Sequence, residues 1–138
     1  MRMPACLPAP FIRKGPTMAR IKLKRVYEDT DPSDGCRILV DRVWPRGMSK
    51  EKAQIQYWAK HAAPSKELRQ WYGHDPEKWP AFKTRYTEEL KANPEAVNAL
   101  LDNICRDMTN TFVYSSKETE KNNAVVLKEF VEGLLKND

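Results

Sequence analysis

Cysteine is sparse in this chain, and its placement is uninformative for cross-linking. Cys6, Cys36 and Cys105 are odd in number, widely spaced and outside any C-x-x-C or Cys/His grouping. That pattern indicates neither a disulfide framework nor a zinc site, and it fits a reducing cytoplasm as the expected location. Histidine is scarcer still, with His61 and His74 alone. His61 precedes "AAPS" at a helix end and His74 precedes the capping Asp75, so structural roles suit both better than catalysis. "HDP" offers too few ligands for a metal, and no cofactor is indicated. There is no G-x-S-x-G elbow, internal repeat or low-complexity tract, and no apolar run long enough for a secretory signal or a membrane span.

What is present suits one domain. A chain of 138 residues can bury about two-thirds of its unfolded surface without staples. The net charge of +5 suggests nucleic acid until it is divided. Residues 1–17 hold Arg2, Arg13 and Lys14 with no acid, which leaves +2 for residues 18–138. Those first 17 residues also hold four of the ten prolines, so they read as a disordered basic arm or, with Met18 directly before the first strand-like run, as a start-site artefact. Residues 18–138 read as a single α/β domain.

"IKLKRVY" (21–27) alternates apolar and basic residues and predicts a strand near a sheet edge. "RILVDRV" (37–43) places Ile38, Leu39 and Val40 in succession, as in a central strand covered on both faces. Helix starts are expected after Ser49, Ser65, Asp75-Pro76 and Asn93-Pro94, where a side-chain oxygen can cap free N–H groups and proline fits the first turn. Trp79, Phe82, Tyr86 and Leu90, then Val97, Leu100, Leu101 and Ile104, recur at helical spacing. "TNTFVYSS" (109–116) predicts a third strand, and a last helix is expected from about Glu118 with Leu127, Phe130, Val131, Leu134 and Leu135 on one stripe. The fold class is therefore α/β, a small, mostly parallel sheet of about three strands with four to five packed helices. The link between the first two strands is too short for a crossover helix, which leaves the first strand's direction open.

Two strand ends carry chemistry. The second strand runs into Asp41, Arg42 and the "WPRG" turn of Trp44, Pro45, Arg46 and Gly47; the third runs into Ser115, Ser116 and Lys117. In a parallel sheet both would lie at the carboxyl edge, where ligands bind. The Arg46 guanidinium and the backbone of residues 115–119 are then expected to face one cleft, an anion cradle for phosphate or carboxylate. Alternation sends Asp41 and Arg42 to opposite faces, and the competing reading gives them structural ion pairing with neighbouring helices, Arg46 a helix C-terminus to cap, and the serines turn or capping roles. The tryptophans in "LRQWYGHDPEKWPAFKTRY" could stack single-stranded nucleic acid, but their helical spacing fits core packing better.

The strings "KRVYE", "DG-RILVDRVWPRG", "APS-ELR-W", "GHDPEKW--F--RY--EL" and "VYSSKETEKNNAVVLKEF" occur in order over about residues 20–135. On them the chain resembles the YeaO-like bacterial family, domain of unknown function 488. The resemblance implies a small cytoplasmic α/β protein and carries no activity. Matching positions are Asp41, Arg42, Trp44, Pro45, Arg46, Gly47, Pro64, Ser65, Tyr114, Lys117, Asn122 and Ala124. Where such proteins typically read "NHA", this chain has Asn122-Asn123-Ala124, so an amide replaces the family's histidine. An asparagine positions a substrate but exchanges no proton near neutral pH. Either that histidine is not essential chemistry or this member is a binder.

The leading expectation is a pocket for a phosphate-bearing small molecule, nucleotide-like, for binding or for a transfer or hydrolysis reaction. Arg42, Arg46 and Lys117 hold the anion, Asp41 and Asn123 position it, Trp44 walls the site, and Ser115, Ser116 and Asn122 complete the lining. The alternative is a non-enzymatic nucleic-acid or regulatory interaction module, which the small domain charge disfavours. A third reading is a protein whose exposed aromatics cover a partner. No membrane association is expected, and the sequence leaves the oligomeric state open.

Overall fold

The computed structural model describes residues 19–136. The expectation for residues 1–17 falls outside them. Four strands, β1 (Arg20–Arg25), β2 (Cys36–Leu39), β3 (Tyr57–Trp58) and β4 (Thr109–Tyr114), form one sheet in the order β1-β4-β2-β3. All three pairings are parallel, which fixes the direction of β1 and leaves it on an edge. Both β2 and β4 are therefore interior strands, and both are almost fully buried.

Among the described residues five α-helices accompany the sheet: α1 (Lys50–Ala53), α2 (Lys66–Tyr72), α3 (Trp79–Lys91), α4 (Pro94–Asp102) and α5 (Asn123–Lys136). Ser49 and Ser65 accept from the backbone N–H groups of Lys52 and Leu68, and Asp75 caps a short 3-10 turn that leads into α3. Asn93 makes no such cap. Its amide instead donates to the carbonyl of His61 at 3.3 Å, tying the start of α4 to a neighbouring turn. Pro80 falls in the first turn of α3, where its missing N–H leaves no bond unmade.

The two sheet faces differ. Ile21, Ile38, Val40, Phe112 and Tyr114 point into the main core, where they meet Leu68, Tyr72, Phe82, Tyr86, Leu90, Leu100, Leu127 and Val131 from α2 to α5. Tyr72 and Phe82 stack with centroids 4.4 Å apart, an offset pair worth about 0.5–1.5 kcal/mol beyond its buried area. The other face carries a thin cover of Val26, Ala53 and Val113 with Trp44, Met48 and Ile55. Beside it lies an ionic knot. Asp34, 1% exposed, accepts from Arg37 at 2.7 Å and from Lys24 at 3.0 Å.

Several local expectations are corrected. The second strand ends at Leu39 rather than Val43, so Asp41 and Arg42 belong to the loop beyond it. The helix after Ser49 stops at Ala53 because Gln54 turns to φ +49°, and the chain then pairs Tyr57 and Trp58 with β2 as an additional strand. The last helix starts at Asn123, not Glu118. Cys36 and Cys105 form a disulfide where reduced thiols were expected; buried positions at the start of β2 and just before β4 bring them together. No helix among the described residues is long and apolar enough to cross a membrane.

Candidate functional site

Because all four strands run in one direction, the ends of β1, β2 and β4 open on the same edge. An open cavity of about 740 Å³ lies there, bordered by the turn after β2, the start of α5 and the C-terminal end of α2. Asp41, Arg42, Trp44 and Arg46 line it from the β2 side, and Ser115, Ser116 and Lys117 from the β4 side. Asn122 and Asn123 line it from the start of α5, so the nine residues singled out from sequence share one cavity.

Asp41 organises this edge. Its Oδ2 accepts from the backbone N–H of Ser115 at 2.9 Å and from the Ser115 hydroxyl at 2.8 Å. Its Oδ1 accepts from the Asn123 amide at 3.1 Å, and the same amide donates to the Val40 carbonyl at 3.0 Å. Its own carbonyl accepts from the Trp58 indole at 2.8 Å. Three strands and a helix thus meet on one residue. Asp41 does not pair with Arg42. The Arg42 guanidinium donates instead to the carbonyls of Pro64 and Ala63, both at 3.1 Å.

The tryptophan-proline turn is fixed from both sides. The Trp44 indole donates to the Met48 carbonyl at 2.7 Å, and the Tyr27 hydroxyl donates to the Arg46 carbonyl at 2.9 Å. Arg46 and Lys117 are exposed at the cavity, and their side chains make no ion pair or hydrogen bond among the described residues. Ser116 is a turn residue whose hydroxyl accepts from the Glu118 N–H at 3.0 Å. Asn122 is the helix cap: its Oδ1 accepts from the Val125 N–H at 3.1 Å while its amide holds the Glu118 carbonyl at 2.7 Å. Hydrogen bonds from the Glu120 and Lys121 backbones lower the Glu118 carboxyl below its usual range and hold the preceding loop.

Other lining residues were not singled out from sequence. Arg25, the last residue of β1, donates to the carbonyls of Ser116 at 2.8 Å and Ser115 at 3.2 Å, and its guanidinium lies 5.2 Å from the Tyr27 ring centre. Arg69 of α2 and His74 are exposed and also line the cavity. The signal for Arg25 was present in "KRVY", a strand running into charge as β2 does, but it acquires meaning only once β1 is known to be parallel. Tyr72 also faces the cavity; burial, aided by Glu118 and Asp75, pushes its phenol above the ordinary value, so it stays protonated and donates to the Lys121 carbonyl at 2.8 Å.

The aromatic-basic stretch is used within the fold. Trp71 lies beneath Arg85 at 4.2 Å and Lys78 at 5.0 Å, and Lys78 also donates to the Trp71 carbonyl, which clamps α2 to α3. Trp71 and Trp79 pack against the main core. No cluster of three or more His, Cys, Asp or Glu side chains among the described residues could hold a metal ion.

A parallel four-stranded sheet with its helices mainly on one face and a cation-lined cleft at its carboxyl edge defines a small α/β protein. The chain belongs to the DUF488 family: residues 20–138 match the group described as the inactive DUF488-N3 subclade. An uncharacterised protein of Mycobacterium tuberculosis is 42% identical over 114 residues, covering 83% of this chain and 95% of that relative, and one of Mycobacterium bovis matches equally. The uncharacterised protein YeaO of Escherichia coli is 38% identical over 114 residues, covering 83% of this chain and 98% of YeaO. No solved structure matches the chain significantly.

Proposed function

We propose that the protein is a non-catalytic binder of a phosphate-bearing small molecule held in the cleft at the carboxyl edge of the sheet. One observation carries the reading: Arg25, Arg42, Arg46, Arg69 and Lys117 surround the cavity, and Asp41 is the one acid among its lining residues. Both Asp41 oxygens already accept from Ser115 and Asn123, so the carboxylate keeps its charge but forms no ion pair with the arginines. Guanidinium groups in such a position give planar, charge-assisted hydrogen bonds to phosphoryl oxygens. The Asn123 amide is tied to Val40 and Asp41 and cannot exchange a proton, which supports binding without catalysis and agrees with the subclade's description as inactive.

A thermal-shift series with phosphate, sugar phosphates and nucleotides tests the proposal. A ligand that binds the folded state at a hundred times its dissociation constant stabilises by about 2.7 kcal/mol. At least one phosphate-bearing compound should raise the melting temperature of the wild type more than that of an Arg46→Ala variant. Equal shifts, or none, would overturn it.

A further inference from the structure

The cations around the cleft fall into two sets, and from that division we infer, resting on the anion reading above, that its ligand is an organic diphosphate. Arg25 and Arg42 form the anchored set. Each guanidinium is fixed by two backbone carbonyls, Ser115 and Ser116 for Arg25, Ala63 and Pro64 for Arg42. The Nη1 group of each has no hydrogen-bond partner among the described residues. β4 lies between β1 and β2, so Arg25 at the end of β1 and Arg42 in the loop after β2 approach the β4 end from its two sides.

Arg46, Arg69 and Lys117 form the rim set, exposed and without side-chain partners among the described residues. One phosphoryl group brings about two negative charges near neutral pH. Among the lining residues five cations face one carboxylate, a larger excess than that, with Glu118 and Asp75 outside the lining but near enough to act on Tyr72. A second, linked phosphoryl group matches it, with one group on the anchored arginines and the other on the rim.

The cavity, about 740 Å³, exceeds what an inorganic anion needs and falls in the usual range of small-molecule sites. Its lip exposes apolar surface: Tyr27 is 43% and Val43 60% exposed, and both line the cavity. Tyr27 is held in place by its bond to Arg46 and by the Arg25 guanidinium over its ring. That lip suits the apolar or aromatic body of an organic diphosphate. A nucleoside diphosphate and an isoprenoid diphosphate share this chemistry, and separate arms of the test distinguish them.

Isothermal titration of the full chain with inorganic phosphate, pyrophosphate, AMP, ADP and geranyl diphosphate is the experiment. ADP should bind at least about tenfold tighter than AMP, and pyrophosphate than phosphate, a difference of 1.4 kcal/mol per tenfold. An Arg69→Ala/Lys117→Ala variant, altered at exposed positions and checked for unchanged thermal unfolding, should lose more affinity for ADP than for AMP, so that the preference falls well below tenfold. A diphosphate no tighter than its monophosphate overturns the inference and leaves the anion reading standing. Binding by none of the five overturns both. ADP or geranyl diphosphate binding tighter than pyrophosphate supports the apolar lip and selects the body; equal binding of all three overturns that part.

Discussion

Asp41 and Ser115 are joined twice, by the backbone N–H and by the hydroxyl of the serine, both to the same carboxylate oxygen. This pair closes the carboxyl edge between β2 and β4, and Asn123 adds the start of α5 on the other oxygen. Losing the carboxylate strands three donors, whereas losing the hydroxyl strands none. Asp41→Ala should therefore cost about 1.5–3 kcal/mol or more, and Ser115→Ala clearly less. Urea unfolding of both variants checks the ranking; equal midpoints would show that the edge is not held by this carboxylate.

On the opposite side of the sheet, Asp34 neutralises a buried arginine. Burial alone would raise its carboxyl, but hydrogen bonds from Lys24, the Asp31 backbone and Arg37 outweigh that, and the group lies below its ordinary value. A lowered folded value means stability that is present above the unfolded carboxylate value and lost as pH falls through the folded one. Asp34→Asn should accordingly be less stable than wild type at neutral pH, with the gap narrowing below about pH 4. Asp34→Ala, which leaves Arg37 buried and unpaired, should cost about 3–5 kcal/mol. A constant gap between pH 7 and pH 3 in chemical unfolding would contradict the assignment.

The elements legible in the sequence were those whose pattern is local. The apolar run of β2, the aromatic spacing of α3 and the serine caps at Ser49 and Ser65 can each be read within a dozen residues. Tyr57 and Trp58 could not be read that way. "KEKAQIQYWAK" has helical composition throughout, and the strand exists because the Gln56 N–H bonds to the Arg37 carbonyl and the Ala59 N–H to the Leu39 carbonyl, partners far away in the chain. The start of α5 departs from its expected position for a related reason. Residues 118–122 have ordinary helix composition, but the Glu118 carboxylate captures the Glu120 and Lys121 N–H groups in a turn, and the cap falls on Asn122. At the cleft, β2 and β4 announced themselves by charge at their ends, while Arg69 reaches the site only through the packing of α2.

Gly35 permits the turn that begins β2. Its φ is +64°, and an added Cβ would overlap the carbonyl oxygen of Thr109 on the adjacent strand. Gly35→Ala therefore combines a strained backbone with a collision against backbone atoms that cannot rotate away. It should destabilise by at least about 1–3 kcal/mol. Gly133→Ala, where nothing lies within 4 Å, should instead stabilise α5 slightly. If the two variants unfold at the same urea concentration, the close approach of this turn to β4 is wrong.

The Cys36–Cys105 disulfide closes a loop of 69 residues. A cross-link of that span lowers the entropy of the unfolded chain by the equivalent of about 4 kcal/mol, with typical measured values of 2–4. Reduction should lower stability by that order. Non-reducing peptide mapping should recover the two cysteines in one linked fragment, and the unfolding midpoint should fall when reductant is added. Separate fragments, or a midpoint indifferent to reductant, would remove the cross-link from the account.

Asn123 occupies the position where the resemblance places a histidine, and its amide nitrogen lies 3.1 Å from the Asp41 carboxylate and 3.0 Å from the Val40 carbonyl. A ring N–H from the same backbone position could take over the bond to Asp41. A carboxylate at that distance favours the charged imidazole, so in an Asn123→His variant the introduced ring should titrate above the ordinary value of about 6.5. The sign of the linkage follows. A value raised in the folded state adds stability that is fully present below about pH 6.5 and is lost as pH rises through the folded value. NMR titration of the introduced imidazole reads the first effect, and urea midpoints at pH 5.5 and pH 8.5 read the second. Combining the change with Asp41→Asn should return the ring toward its ordinary value. A ring that titrates at or below 6.5, or that ignores the loss of Asp41, would mean that position 123 does not face this carboxylate in solution.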